Sequence, residues 1–155
     1  MEYQIAKWLH ILSSTVLFGT GLGSAYYMFF ASLTRNSAAA AVVVRQVVRA
    51  DWLFTATTIV FQPLSGLYLA HLMGLSPLGT PWIRWSFYLY FLAGACWLPV
   101  VWLQIRMRRI AEASARQGLP LPRRYFRMLW LWTALGVPAF AALVVVFWLM
   151  VAKPT

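Results

Sequence analysis

Four long apolar runs constrain this chain more than anything else in it. They cover residues 5–30, 53–75, 82–105 and 129–151. Each reaches or exceeds the roughly 20 residues a helix needs to cross the hydrocarbon of a bilayer. Only 10% of the residues are charged, whereas a soluble domain carries about a quarter. In lipid the backbone must satisfy its own hydrogen bonds, and a run of this length does so as a helix. The expectation is an all-α, four-helix transmembrane bundle, one domain over residues 1–155 with no separate soluble part.

The first run does not read as a secretory leader. An apolar leader core is shorter, about 7–15 residues. Glu2 accompanies Lys7 ahead of the run, and the bulky "YYMFF" follows the only small-residue stretch, "GLGSA". It is expected to stay as a helix.

The net charge of +10 suggests nucleic acid until its placement is examined. Arg35, Arg45 and Arg49 lie between the first two runs. Arg106, Arg108, Arg109, Arg116, Arg123, Arg124 and Arg127 lie between the last two, and only Lys7, Arg84 and Lys153 fall at the opposite ends. By the positive-inside rule the arginine-bearing loops are cytoplasmic, and both termini are on the outer (periplasmic) side. The charge then serves orientation and contact with anionic lipid, not nucleic acid. A single cysteine, Cys96, excludes an internal disulfide and a thiolate cluster.

Punctuation between the runs is sparse. Gly74, Pro77 and the pair Thr80-Pro81 mark a tight turn. The third helix is expected to continue to about Arg116, where Gly118 and Pro120 stop it. The Ala/Val-rich segment 37–52, with Arg45 and Arg49 four apart, fits either a surface amphipathic helix or a continuation of a neighbouring span. Pro63, Pro99 and Pro138 fall inside spans and read as kinks or as the wall of a widened cavity. Trp82, Trp85 and Tyr88 at one side, and Trp102, Tyr125, Trp130 and Trp132 at the other, suit interfacial belts.

Ionisable groups inside a membrane are functional candidates, and the chain's two histidines both qualify. In an up-down hairpin His10 and His71 share the outer leaflet, differing in depth by about 3 Å. Ser14, Leu17, Gly21, Ser24 and Met28 lie within about 40° of His10 on its helix, a small and partly polar stripe expected to face the bundle. His71 shares a face with Leu64, Leu67 and Tyr68, while Gln62 and Ser65 point away from it. Gly19 and Gly23 form a GxxxG pair on the other side of the first helix, suited to a homodimer contact.

Three roles fit the histidines: hydrogen bonding between helices, ligation of a metal or haem, or a site for a quinone or other small membrane-accessible substrate. For haem b, His10 is the candidate first iron ligand, and His71 the second ligand or a group beside a single axial His10. Lys7 and Arg84 would reach the propionates, with Ser14 and Gly21 lining the site. Glu2, Asp51 and Glu112, the only carboxylates, fall outside the four runs, which argues against a transporter coupled to protons or sodium.

The segments "KWLHILSSTVLFGTGLGSAYYM", "QPLSGLYLA" and "AGACWLPVVWLQIRMRRIA" resemble DUF family 2269, bacterial four-helix integral membrane proteins, over nearly the whole chain. The Lys-x-x-His of Lys7 and His10, with Trp97, Pro99, Trp102 and Gln104, carries most of that resemblance. Lys-x-x-His at the start of a first span is also distantly similar to HemJ-type protoporphyrinogen oxidases and copper-resistance D proteins. That likeness implies a bacterial inner-membrane protein binding haem b through His10, with electron transfer or small-molecule oxidation as its role. The stretch "VLFGTGLG" after His10 departs from the Trp-Phe-Ala-Gly of the HemJ-type enzymes, and the six methionines form no copper-binding cluster. The rival expectation is a non-enzymatic transport or accessory subunit with structural histidines.

Overall fold

Helix α1 runs over Glu2–Leu33, far past the turn length of any soluble hairpin, because nothing in its apolar run breaks it. At its end Arg35 takes a left-handed φ of 59°, and Asn36 caps the next helix by accepting a hydrogen bond from the Ala39 N–H at 3.1 Å. Helix α2 covers Ser37–Ala50, a π-helical turn Asp51–Thr55 follows, and α3 covers Ala56–Leu72. These three are one continuous rod of 36 residues. Of the two readings of segment 37–52, the structure takes the continuation. The second span therefore begins well before residue 53.

Two Schellman turns end the long helices. At the close of α3 the Gly74 N–H donates to the His71 carbonyl and the Leu75 N–H to the Ala70 carbonyl, with Gly74 at φ 66°. Helix α4, Pro81–Arg116, closes in the same way through Gly118 at φ 65°. These are positions where a side chain would be strained. Helix α5, Arg123–Ala152, completes an antiparallel up-down-up-down arrangement. The computed structural model describes residues 1–154. All four rods are long and apolar enough to cross a membrane. At 1.5 Å per residue they measure about 45–54 Å, so each also projects beyond a core of about 30 Å.

The packed core lies toward the arginine-rich end. Ala40, Ala41, Val44 and Val47 of α2 meet Val100, Leu103, Met107 and Ala111 of α4, with Met28, Tyr125, Leu129 and Trp132 alongside. Small side chains on α2 let its backbone approach α4 closely, which is how helices associate where the surroundings are as apolar as the interface. Toward the chain termini the arrangement opens: α3 packs on α1 and α4 packs on α5. There the Tyr90 hydroxyl of α4 reaches the Ile59 carbonyl of α3 at 2.7 Å, and Phe18 of α1 stacks on Phe140 of α5 at 4.5 Å. The aromatic belts need correction. Trp85, Tyr88, Trp102 and Trp130 are exposed, but Trp82, Tyr125 and Trp132 are buried, because their helical positions face a neighbouring helix.

Tyr125 shows why burial won. Its hydroxyl lies 2.7 Å from Ser32 Oγ, and Ser32 in turn donates to the Met28 carbonyl, so Tyr125 donates to Ser32. Both residues are fully buried. Tyr125→Phe keeps the ring and the Ser32–Met28 bond and is expected to cost about 1 kcal/mol, measurable as a lower thermal midpoint in detergent.

Candidate functional site: a polar face on the second span

His10 sits two turns and a half into α1, half-buried against α3. Its Nδ1 lies 2.7 Å from Ser65 Oγ and its Nε2 lies 3.1 Å from Gln62 Nε2. Ser65 has already committed its single proton to the Phe61 and Gln62 carbonyls, so Nδ1–H donates to Ser65. The Gln62 amide then donates to the bare Nε2. This is a neutral imidazole of defined tautomer. Gly66 makes the fit possible: a Cβ there would stand 3.3 Å from His10 Cε1.

Gln62 and Ser65 do point away from His71, and the partner on that second side is His10. His71, nine residues beyond Gln62, is turned about 180° from it on a helix and is exposed. The structure does not bring the two histidines together. Lys7 is exposed and its ammonium lies 5.8 Å from the Tyr3 ring centroid. Arg84 donates to the Leu78 carbonyl at 3.4 Å. Ser14 turns its hydroxyl back to the Ile11 carbonyl. Gly19, Gly21 and Gly23 have no atom of another helix within 4 Å of a Cβ position. Of the expected inward stripe on α1, Leu17 and Met28 are buried, and Ser13 is buried beside them.

An axial haem ligand needs a free imidazole nitrogen, and both of His10 are engaged. A second ligand from His71 would have to come from the opposite face of α3. The residues do not fit a bis-histidine haem in this arrangement.

The same helix carries a second polar group that the sequence reading left outside the membrane. The pairs Glu2–Tyr68, Tyr3–Met73 and His10–Ser65 set the antiparallel register of α1 on α3. Continued along the rod, that register places Asp51 about level with Leu22 and Gly23, inside the apolar run of α1. Asp51 is 5% exposed. One carboxyl oxygen accepts from Thr55 Oγ1 at 3.0 Å, and the Gln104 amide of α4, 3% exposed, approaches the carboxyl. A π-turn lies at this placement: it closes by a bond to the Asp51 carbonyl, and Asp51 and Thr55 are buried while Trp52, Leu53 and Phe54 are exposed. Single π-turns in otherwise regular helices recur at functional sites.

Thr55, Gln62 and Ser65 thus lie toward the same side of the second span as Asp51, since offsets of 4, 11 and 14 residues each fall within about 40° of Asp51 at regular helical pitch. Among the described residues several buried polar atoms have no hydrogen-bond partner: Asp51 Oδ2, Gln62 Oε1, Gln104 Oε1, Trp97 Nε1 two turns along α4 from Gln104, and Ser13 Oγ one turn along α1 from His10. Elsewhere Trp132 Nε1 has none, and Arg108 Nε has no hydrogen bond but stands 4.0 Å from Glu112. In hydrocarbon each such atom costs several kcal/mol. The apolar run that begins at residue 53 leaves Asp51 just outside the second span by hydropathy, in the segment 37–52 that reads equally as a surface helix or as a continuation.

Residues 4–154 match the family described as "Predicted integral membrane protein (DUF2269)". The chain belongs to that family. No curated protein and no solved structure matches it. Membership of this family of integral membrane proteins agrees with four spans in contact with a lipid bilayer.

Proposed function

We propose that this protein of the DUF2269 family conducts protons, alone or with a small solute, along the polar face of its second span. This develops the non-enzymatic transport expectation. We also propose a bacterial inner membrane as its location, with the arginine-rich end in the cytoplasm, a reading supported by the placement of the charges. The observation that supports it is a pair of titratable groups along the second span: Asp51, buried on the span itself, and His10 of α1, bonded to its Ser65 and Gln62. They stand about 19 Å apart along the rod, counted at 1.5 Å per residue. Intramembrane chains of His and Asp or Glu mark proton relays.

The chemistry at His10 follows from its bonds. A proton arriving at Nε2 requires the Gln62 amide to turn over, so that its unpartnered Oε1 accepts the new N–H while Nδ1–H stays on Ser65. Release reverses the turn. Asp51 takes and gives the proton at the other end, with Thr55 holding one oxygen and Gln104 beside the carboxyl. Between the two, Thr58 and Trp97 supply polar atoms for bridging waters.

Reconstituted vesicles carrying an internal pH dye are expected to collapse an imposed pH gradient faster than protein-free vesicles when a counter-ion path is supplied. Equal rates would sink the reading. The redox alternative, haem b on His10, requires Gln62 to release Nε2. A dithionite-reduced absorption spectrum of the purified protein is expected to lack a Soret band. A Soret band that disappears in His10→Ala would restore the haem role and displace the proton path.

A further inference from the structure

A groove of about 500 Å³ opens at the arginine-rich end, between the α1–α2 turn and the first two turns of α5. Arg35, Arg123 and Arg127 line it, together with Leu121, Phe126 and Trp130. Among the described residues none of these arginines has an acidic partner. Glu2 and Asp51 are engaged with Tyr68 and Thr55 on other elements, and Glu112 stands 4.0 Å from Arg108. Three arginines lining one groove give it a positive potential that favours an anion.

The backbone is set to bring them there. Arg35 holds a left-handed φ of 59°, a conformation that costs a non-glycine residue free energy and recurs where function requires it. Its N–H donates to the Ser32 carbonyl at 3.2 Å. The guanidinium is thereby carried across to α5, 5.8 Å from the Phe126 ring centroid. One turn further along α5 Trp130 is exposed and meets Phe29 edge-on at 5.8 Å. The groove is cationic at its polar rim and aromatic toward the hydrocarbon. That order matches a phospholipid, with the phosphate at the rim and the acyl chains below it.

We infer that this groove seats the phosphate headgroup of an anionic phospholipid, held by Arg35, Arg123 and Arg127, with the chains lying over Phe126 and Trp130. Basic pockets of this kind between membrane helices bind anionic headgroups. The site is separate from the polar face of the second span and does not depend on its role.

The test is native mass spectrometry of the full chain in detergent, titrated with phosphatidylglycerol or phosphatidylcholine. Phosphatidylglycerol adducts should form at lower lipid concentration than phosphatidylcholine adducts. Arg123→Gln with Arg127→Gln should weaken phosphatidylglycerol about 30-fold, since each interfacial arginine contributes about five-fold. Arg35→Gln alone should weaken it about five-fold. All three side chains are exposed, and an unchanged melting midpoint confirms that the variants fold. Arg109→Gln, exposed and outside the groove, should leave binding unchanged. Equal loss in Arg109→Gln would overturn the groove in favour of diffuse charge. Equal binding of the two lipids would overturn it as well. Displacement of the lipid by inorganic phosphate would reassign the groove to a free anion.

Discussion

Asp51→Asn is expected to lower proton flux through the reconstituted protein about 100-fold, the usual scale for removing a positioned proton donor or acceptor, without unfolding it. The substitution keeps volume and an oxygen for the Thr55 hydroxyl, which donates to Asp51 at 3.0 Å. It also keeps a polar group against Gln104. What it removes is the ability to take up and release a proton. Loss of a structural contact alone would show as a lower melting midpoint at unchanged flux. Asp51→Asn with wild-type flux would leave the buried carboxyl without a transport role. Gln104→Leu provides an independent check, because it alters the surroundings of the carboxyl and leaves its proton in place. A smaller fall in flux is expected there.

Gly66→Leu should damage both stability and flux. A Cβ at this position already stands 3.3 Å from His10 Cε1, and the rest of a leucine would occupy the space of the imidazole. Overpacking costs about 1–3 kcal/mol. Displacing His10 also strands Ser65 and the Gln62 amide, whose bonds to it are 2.7 and 3.1 Å. Gly66→Ala, which asks the ring to yield by a few tenths of an ångström, should be much milder. If the damage passes through His10, Gly66→Leu will cost less in a His10→Ala background than in the native chain, since neighbouring substitutions do not add. Additive costs would mean that Gly66 matters for some other contact.

His10 and Asp51 show how far the sequence carried the candidate site. The position of His10, inward-facing in the first span, was readable from periodicity, because a helix repeats with a fixed angle per residue. The direction of Gln62 and Ser65, away from His71, was readable for the same reason. Which of the two faces of α3 would meet α1 was not, since both carry polar side chains. The match was made by Gly66, which removes a side chain only where His10 arrives. A propensity rule cannot see an absence of volume that matters only once a second helix is present.

Asp51 failed for a different reason. An aspartate next to Arg49 and Trp52 falls at the edge of an apolar run when segment 37–52 is read either as a surface helix or as a continuation. Packing of Ala40, Ala41, Val44 and Val47 against α4 accompanies the continuous rod, in which Asp51 is buried.

The sequence by itself determined that this chain lives in a bilayer, crosses it four times as helices and gathers its arginines at one end. Those facts follow from the length of apolar runs and from the cost of bare backbone and charge in hydrocarbon, which act residue by residue. The tertiary structure alone decided which polar side chains share a face. It paired His10 with Ser65 and Gln62, buried Asp51 beside Gln104 and left His71 exposed. Those outcomes depend on register and on side-chain volume at helix crossings, and both exist only when two helices meet.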